Sequence, residues 1–126
     1  MLIDTDVLIW YLRGNKKAQQ LIDGLGSFSI SVITYMELVQ GMRNKRELNE
    51  FRRALSDWNT QLIYINEEIS SKAMFLVERY FLSDAIQLAD ALIASTVLTS
   101  GLPICTGNVK HYKAIKQIEI KVFKPC

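Results

Sequence analysis

Short apolar segments alternate with longer helical segments along this chain, and this alternation limits the possible fold more than any other feature. Strands are expected at residues 2–4, 28–33, 61–65, 103–105 and 118–123. Between them, apolar side chains often recur at three- and four-residue steps, which predicts helices at 7–12, 18–22, 34–42, 46–58, 67–82 and 90–98. Parallel strands need crossover connections, and helices supply them. The sequence therefore predicts an α/β domain with a mostly parallel central sheet.

Length and charge narrow the class of protein. The chain has 126 residues, 49% of them hydrophobic, which is enough for one substantial core and too little for two ordinary domains. We therefore expect a single domain over residues 1–126. The formal net charge is only +2, which excludes a protein held to nucleic acid mainly by bulk positive charge. Any contact with nucleic acid is expected to be local.

The sequence also predicts a cytoplasmic protein with no membrane segment. The chain begins Met-Leu-Ile-Asp, without the basic region and long apolar run of a signal peptide. No uncharged stretch approaches the length of a membrane span. Its two cysteines, Cys105 and Cys126, lack metal-type spacing, so we expect free thiols in a reducing compartment.

Three acidic residues, Asp4, Glu37 and Asp90, each lie at the edge of an apolar segment. In parallel sheets ligands bind outside the carboxyl ends of the strands, where Asp4, Glu37 and the polar 106–108 segment are expected to meet. Convergent carboxylates repel one another without a cation and bind hard divalent metals. Sites made of acids alone favour Mg²⁺ or Mn²⁺ and phosphoryl chemistry.

Each acid also has a purely structural interpretation. Asp4 and Asp6 are suitable helix caps, and Asp90 is suitable as an N-cap or as a first-turn acid favoured by the helix dipole. Thr34 and Glu37 have the spacing of a capping box, which would place Glu37 in the first turn of its helix. Taken one at a time, these acids do not distinguish caps from ligands.

Four segments in order resemble the PIN domain family, and within it the VapC-type ribonuclease toxins. They are Asp4-Thr5-Asp6-Val7-Leu8-Ile9, residues 31–37 with Glu37 at the end, Leu88-Ala89-Asp90-Ala91-Leu92-Ile93-Ala94, and Thr106-Gly107-Asn108-Val109-Lys110-His111-Tyr112. The resemblance spans nearly the whole chain and implies a three-layer α/β/α sandwich. It also implies a metal-dependent endoribonuclease that forms a homodimer and is covered by a cognate VapB-like antitoxin.

The resemblance assigns roles to individual residues. Asp4, Glu37 and Asp90 would bind Mg²⁺ or Mn²⁺, and Thr106 and Asn108 would position the metal, its water or the scissile phosphate. Asp6 would support the site. Many PIN domains carry a fourth acid in the closing segment, where this chain has His111. That histidine is either an exposed loop residue or a group that contacts phosphate or moves protons, and its presence leaves the number of metal ions open.

The departure at His111 keeps a second function open, an inactive PIN-like module that binds RNA or a protein. A receiver-like phosphoacceptor is weaker, because no mid-chain strand ends in a lone Asp and no late strand ends in Lys. Basic side chains in or beside loops are candidates for phosphate contacts: Arg13, Lys16, Lys17, Arg43, Lys45, Arg46, Lys110, Lys113 and Lys116. Four aromatic residues could either stack on unpaired bases or pack in the core: Trp10, Tyr11, Tyr35 and Tyr112.

Overall fold

A computed structural model describes all residues 1–126 as five short strands and six α-helices. The strands are β1 Leu2–Ile3, β2 Ser29–Ser31, β3 Gln61–Ile63, β4 Ile104–Thr106 and β5 Ile120–Val122. The helices are α1 Thr5–Leu12, α2 Lys16–Gly24, α3 Val32–Gln40, α4 Lys45–Asp57, α5 Glu67–Tyr80 and α6 Leu88–Ser100, with a short 3₁₀ helix at Val109–His111. Strands and helices alternate as the sequence predicts.

All strand pairs are parallel, and the strand order is β3-β2-β1-β4-β5. The chain leaves β1 toward β2 on one side, whereas β4 leads to β5 on the other side. The carboxyl ends of β1 and β4 therefore form a topological switch point, the place where open α/β sheets bind ligands. Asp4 directly follows β1, and Thr106 is the last residue of β4.

Two hydrophobic cores lie on opposite faces of the sheet. Leu2 and Ile104 belong to one core with residues of α5 and α6, whereas their neighbours Ile3 and Cys105 belong to the other core with residues of α1 to α4. Successive side chains of a strand point to opposite faces, so the adjacent apolar residues of β1 and β4 contact both helical layers. The expected three-layer α/β/α sandwich is confirmed.

The capping box expected at Thr34 and Glu37 is wrong. Strand β2 ends at Ser31 and not at Ile33, because the Ser31 hydroxyl accepts a hydrogen bond from the Ile33 N–H and caps α3. The β-branched pair Val32-Ile33 reads as strand in sequence but forms the first turn of the helix. Glu37 consequently lies in the second turn of α3, where the N-terminal dipole no longer accounts for it.

Other boundaries move by a few residues. Asp4 does not end β1 but caps α1, its side chain accepting from the Thr5 N–H. Helix α6 begins at Leu88, which places Asp90 in its first turn, as one of the sequence interpretations had it. No helix in the structure has the length and apolar character needed to cross a membrane. Both cysteines are free thiols, as expected, with Cys105 buried and Cys126 exposed.

Candidate active site

Asp4 is the most firmly held of the predicted site residues. Its backbone N–H donates to the Cys105 carbonyl of β4 at 3.0 Å, and its Oδ1 accepts from the Thr5 N–H at 2.8 Å. Its Oδ2 accepts from the Thr106 hydroxyl at 2.8 Å and from the Tyr112 hydroxyl at 3.1 Å. Only 4% of Asp4 is exposed. Three donors from separate parts of the chain therefore fix this carboxylate at the switch point.

The environment of Asp4 opposes its negative charge. Burial raises the pKa of Asp4 to about 6, and the neighbouring charge of Asp6 acts in the same direction, while the hydrogen bonds from Thr106, Thr5 and Tyr112 lower the pKa. None of the salt bridges in the structure involves Asp4, Asp6 or Glu37. The buried Asp4 and the half-buried Asp6 are thus neighbouring acids with no cationic side chain to neutralise them.

Asp6 joins the same network through the 106–108 turn. Its Oδ2 accepts from the Gly107 N–H at 2.8 Å, and its Oδ1 lies 3.3 Å from the Thr106 hydroxyl. Burial raises the pKa of Asp6 as well. A Cβ atom on Gly107 would lie 2.8 Å from Asp6 Oδ2 and 3.1 Å from the Phe123 carbonyl oxygen. Only glycine allows the turn to approach Asp6 this closely.

Glu37 reaches the site through Thr5. The Thr5 hydroxyl donates to Glu37 Oε1 at 2.6 Å and lies 2.9 Å from the Thr34 hydroxyl of α3. Glu37 itself is exposed. Because Thr5 directly follows Asp4 in the chain, this bond holds the Glu37 side chain near the end of β1.

Asp90 contacts His111, the residue at the position where the family resemblance implies a fourth acid. His111 Nδ1 lies 3.2 Å from Asp90 Oδ1, with side-chain exposures of 33% for the histidine and 16% for the aspartate. The next residue, Tyr112, is fully buried and donates to Asp4. Burial raises the pKa of Tyr112, and the negative charges of Asp4, Asp90 and Asp6 act in the same direction. The dipeptide His111-Tyr112 therefore connects the two ends of the candidate site, one side chain contacting Asp90 and the other Asp4.

Asn108 lies at this turn through its backbone, whose N–H donates to the Thr106 hydroxyl at 3.0 Å. Its side chain makes no capping bond to the 3₁₀ helix that follows. The side-chain amide is thus free of the local capping role that asparagine often has. That freedom agrees with the positioning role that the family resemblance implies, which stays a prediction.

The structure brings together some of the predicted residues and not others. The Thr106 hydroxyl contacts both Asp4 and Asp6. Thr5 contacts both Asp4 and Glu37 and so connects them. Asp90 contacts His111. No three histidine, cysteine, aspartate or glutamate side chains are grouped so that they could together hold a metal ion. The donor chemistry nevertheless fits a hard divalent cation, because carboxylate oxygens dominate and the neighbouring Asp4 and Asp6 lack a counter-charge. The metal site remains a prediction.

Three residues of the network were not recognised in the sequence. For Tyr112 the sequence left base stacking and core packing open; the buried ring confirms core packing, and the role of its hydroxyl as a donor to Asp4 was not expected. Thr5 lies in the 4–9 segment and Gly107 in the 106–112 segment, but the sequence suggested no role for either side chain. The Gly107 signal was present, because a glycine between two polar residues after a strand suggests close backbone approach. Nothing in the sequence indicates that Tyr112 reaches back to Asp4.

Comparisons with known proteins agree with this geometry. A family model described as PIN domain matches residues 1–116. Ribonuclease VapC1 of Methanocaldococcus jannaschii is 31% identical, with 98% of this chain and 86% of the relative covered. Ribonuclease VapC10 of Mycobacterium tuberculosis is 35% identical, with 94% and 90% covered.

Solved structures show the same architecture. A toxin-antitoxin complex from Klebsiella pneumoniae contains a chain with a TM-score of 0.79 and 28% identity, covering 99% of this chain and 97% of that one. The structure of VapBC2 from Rickettsia felis bound to a promoter DNA fragment gives a TM-score of 0.80 at 16% identity, covering 98% of each chain. The second similarity concerns the fold alone.

Proposed function

The chain belongs to the PIN domain family, and on this premise we propose that it is a metal-dependent endoribonuclease, the toxin of a VapBC-like toxin-antitoxin pair. It hydrolyses RNA phosphodiester bonds in the cytoplasm. The observation that carries this proposal is the buried Asp4 beside the half-buried Asp6, both held at the switch point by Thr106 and left without a cationic side chain. Similarity to curated VapC ribonucleases over nearly the whole chain supports the same function.

Asp4, Glu37 and Asp90 would hold Mg²⁺ or Mn²⁺ by carboxylate oxygens. When bound, the ion lowers the pKa of water and offsets the charge that develops on the phosphodiester. Asp4 is kept in one orientation by its three donors, and the Thr5 hydroxyl orients Glu37. Thr106 donates to Asp4. Asn108, whose backbone belongs to the same turn, would position the scissile phosphate.

Basic residues beside the site would contact the RNA backbone. Lys110 lines a cavity of about 280 Å³ together with Asp90 and His111. A second concavity, lined by Arg79 and Lys116, adjoins the first. The two share three lining residues, Tyr80, Ala114 and Ile115. By contrast, Arg43 and Arg46 already form salt bridges with glutamates of α4. We therefore place the phosphate contacts on the closing segment rather than on α4.

A VapB-like antitoxin would cover a groove beside Glu37. The groove has a volume of about 510 Å³ and is lined by residues of α1, α3 and α4, including Leu12, Leu38 and Phe51. Leu12 is half exposed. The lining combines apolar side chains with three glutamates and two arginines, which fits a tail that carries both apolar and charged side chains. A homodimer would instead use the apolar face between α5 and α6, where Met74 and Leu88 are exposed.

The test is RNA cleavage by the purified protein with Mg²⁺ or Mn²⁺, with and without a chelator, using structured and single-stranded RNAs. We expect cleavage that the chelator stops and that Asp4→Asn abolishes. Cleavage that survives both treatments would exclude the metal role of Asp4. A map of the cuts in transfer RNA and ribosomal RNA would then identify the target.

One observation favours the alternative, an inactive PIN-like module that binds RNA or a protein. His111 stands where the family usually has an acid, so the site has one carboxylate fewer. The histidine also contacts Asp90 directly. If metal-loaded protein cuts no RNA while it still binds RNA or an antitoxin, the binding module is the correct function.

A further inference from the structure

We propose that a concavity between α5 and residues 114–117, the α5 concavity, is an RNA-binding surface outside the candidate active site. It holds an unpaired stretch of RNA beside the cleavage position, with phosphates on Arg79 and Lys116 and one base stacked on Phe75. The inference rests on the proposed ribonuclease function and adds to it the path of the RNA strand across the protein.

The α5 concavity is continuous with the candidate active site. Its volume is about 690 Å³. The Tyr80 hydroxyl, on the last residue of α5, donates to the Ala114 carbonyl at 3.3 Å and so ties the two walls together. Tyr80 and Ala114 also line the smaller cavity that contains Asp90 and His111. A strand that passes Asp90 can therefore continue along the surface into the α5 concavity.

The lining of the α5 concavity is positively charged and contains no acid. Its charged residues are Lys72, Arg79 and Lys116. Lys72 is already paired with Glu68 at 3.3 Å. Arg79 and Lys116 are exposed and form no salt bridge. The groove beside Glu37, by contrast, is lined by three glutamates and two arginines. Only the α5 concavity has the unbalanced positive charge that suits a polyanion.

Arg79 is held in a position from which it can contact a phosphate. Its guanidinium carbon lies 5.6 Å from the centroid of the Tyr80 ring, and its Nε donates to the Tyr80 hydroxyl at 3.4 Å. These contacts order the side chain through Nε, while its terminal nitrogens have no acidic partner. A guanidinium ordered in this way loses less freedom when it binds a phosphate.

An exposed aromatic ring distinguishes the α5 concavity from a simple phosphate site. Phe75 is 61% exposed. It lies four residues before Arg79 in α5, so the two side chains share one face of the helix, and both line the concavity. Bases stack on such rings without regard to sequence, and only unpaired bases have a free face to offer. Cations beside an exposed ring therefore favour single-stranded RNA over a duplex.

The experiment measures binding of labelled RNA by fluorescence anisotropy in a chelator, where cleavage does not interfere. The probes are single strands of about 4 and about 16 nucleotides, and a duplex of the longer sequence. Wild type is compared with Arg79→Gln and Phe75→Leu over a range of KCl concentrations. Two matched controls are Arg53→Gln, at an exposed arginine of α4, and Phe81→Leu, at an exposed phenylalanine that does not line the α5 concavity.

Wild type should bind the longer single strand more tightly than the shorter strand or the duplex. Arg79→Gln should weaken this binding and reduce the slope of log affinity against log salt by about 0.7, because one phosphate contact is lost. Phe75→Leu should weaken single-strand binding about fivefold or more. Its salt dependence and its duplex binding should stay unchanged, because the substitution removes stacking and no charge. Both controls should bind as wild type does.

Circular dichroism melting of each variant verifies that it folds. Equal RNA binding by wild type, Arg79→Gln and Phe75→Leu would overturn the inference, as would an equal loss in the two controls. Polyglutamate serves as a probe for an acidic protein partner. If the two concavity variants lost binding of polyglutamate and kept that of RNA, the α5 concavity would be a protein-docking surface and the inference would be wrong.

RNA hydrolysis with Mg²⁺ or Mn²⁺ is measured separately on the same proteins. If wild type cuts RNA while both concavity variants bind it as wild type does, the α5 concavity is refuted and the ribonuclease function stands. If wild type cuts no RNA while Arg79→Gln and Phe75→Leu lose RNA binding as expected, the binding surface stands and the ribonuclease function is refuted.

Discussion

The two ends of the candidate site differ in how they hold their acids. At the end formed by β1 and β4, Asp4 is buried and accepts three hydrogen bonds. At the α6 end, Asp90 is partly exposed and contacts only His111 among charged groups. The first end is rigid and lacks counter-charge, which favours tight placement of an ion. The second end is more open to solvent, and a single side-chain contact holds its acid.

The largest expected effect comes from Asp4→Asn at the rigid end. We expect loss of RNA hydrolysis by more than about a hundredfold, since even indirect support of a metal ligand is worth 10- to 100-fold. Cleavage rates at saturating Mn²⁺ measure this. Asp90→Asn is the matched variant at the open end and should also lose activity. If Asp4→Asn retained the wild-type rate, the two ends would not share one ion.

The same substitution should change how stability depends on pH. Because the pKa of Asp4 is raised from 3.8 to about 6 in the folded protein, the folded state keeps this proton longer than the unfolded state does. The resulting stabilisation is full below pH 4 and is lost as the pH rises through 6. For a shift of this size it amounts to about 3 kcal/mol.

Urea unfolding in a chelator at pH 4 and at pH 7.5 measures this difference. Asp4→Asn, which cannot ionise, should lack that component and should gain stability relative to wild type between the two pH values. If the free energy of unfolding changed equally with pH in wild type and Asp4→Asn, burial would not raise the pKa of Asp4.

A smaller effect is expected at the turn that holds Asp6. Gly107→Ala places a Cβ 2.8 Å from Asp6 Oδ2 and 3.1 Å from a backbone oxygen, so the turn must move. We expect a loss of about 1–3 kcal/mol in the free energy of unfolding, measured by urea titration. Gly26→Ala is the control, since nothing lies within 4 Å of the added atom there. Equal effects of the two substitutions would show that the close approach is unimportant.

The sequence was sufficient for the architecture and for one half of the site. Apolar alternation predicts the parallel sheet, and the rule about strand ends then places Asp4 and Thr106 at the same edge, where they are hydrogen-bonded. It failed at Ser31, because the β-branched Val32-Ile33 pair favours a strand, whereas the Ser31 cap starts a helix there. The contact of Tyr112 with Asp4 joins residues 108 positions apart, and no local pattern encodes such a distance. The contact of His111 with Asp90 was hidden for the same reason.

An effect of similar size is expected for Tyr112→Phe, which separates the two ends most cleanly. The substitution keeps the buried ring and removes only the hydroxyl that donates to Asp4 Oδ2, which leaves Thr106 as the remaining donor to that oxygen. A lost hydrogen bond to a charged group costs about 1–3 kcal/mol, so unfolding in urea at pH 7.5 should show a loss in this range. Tyr64→Phe, at an exposed tyrosine, should show none. The ring contact with His111 does not involve the hydroxyl, so RNA hydrolysis should fall less in Tyr112→Phe than in Asp4→Asn. An equal loss in the two variants would mean that the Asp90 end depends on the Asp4 network, and that the site behaves as one unit.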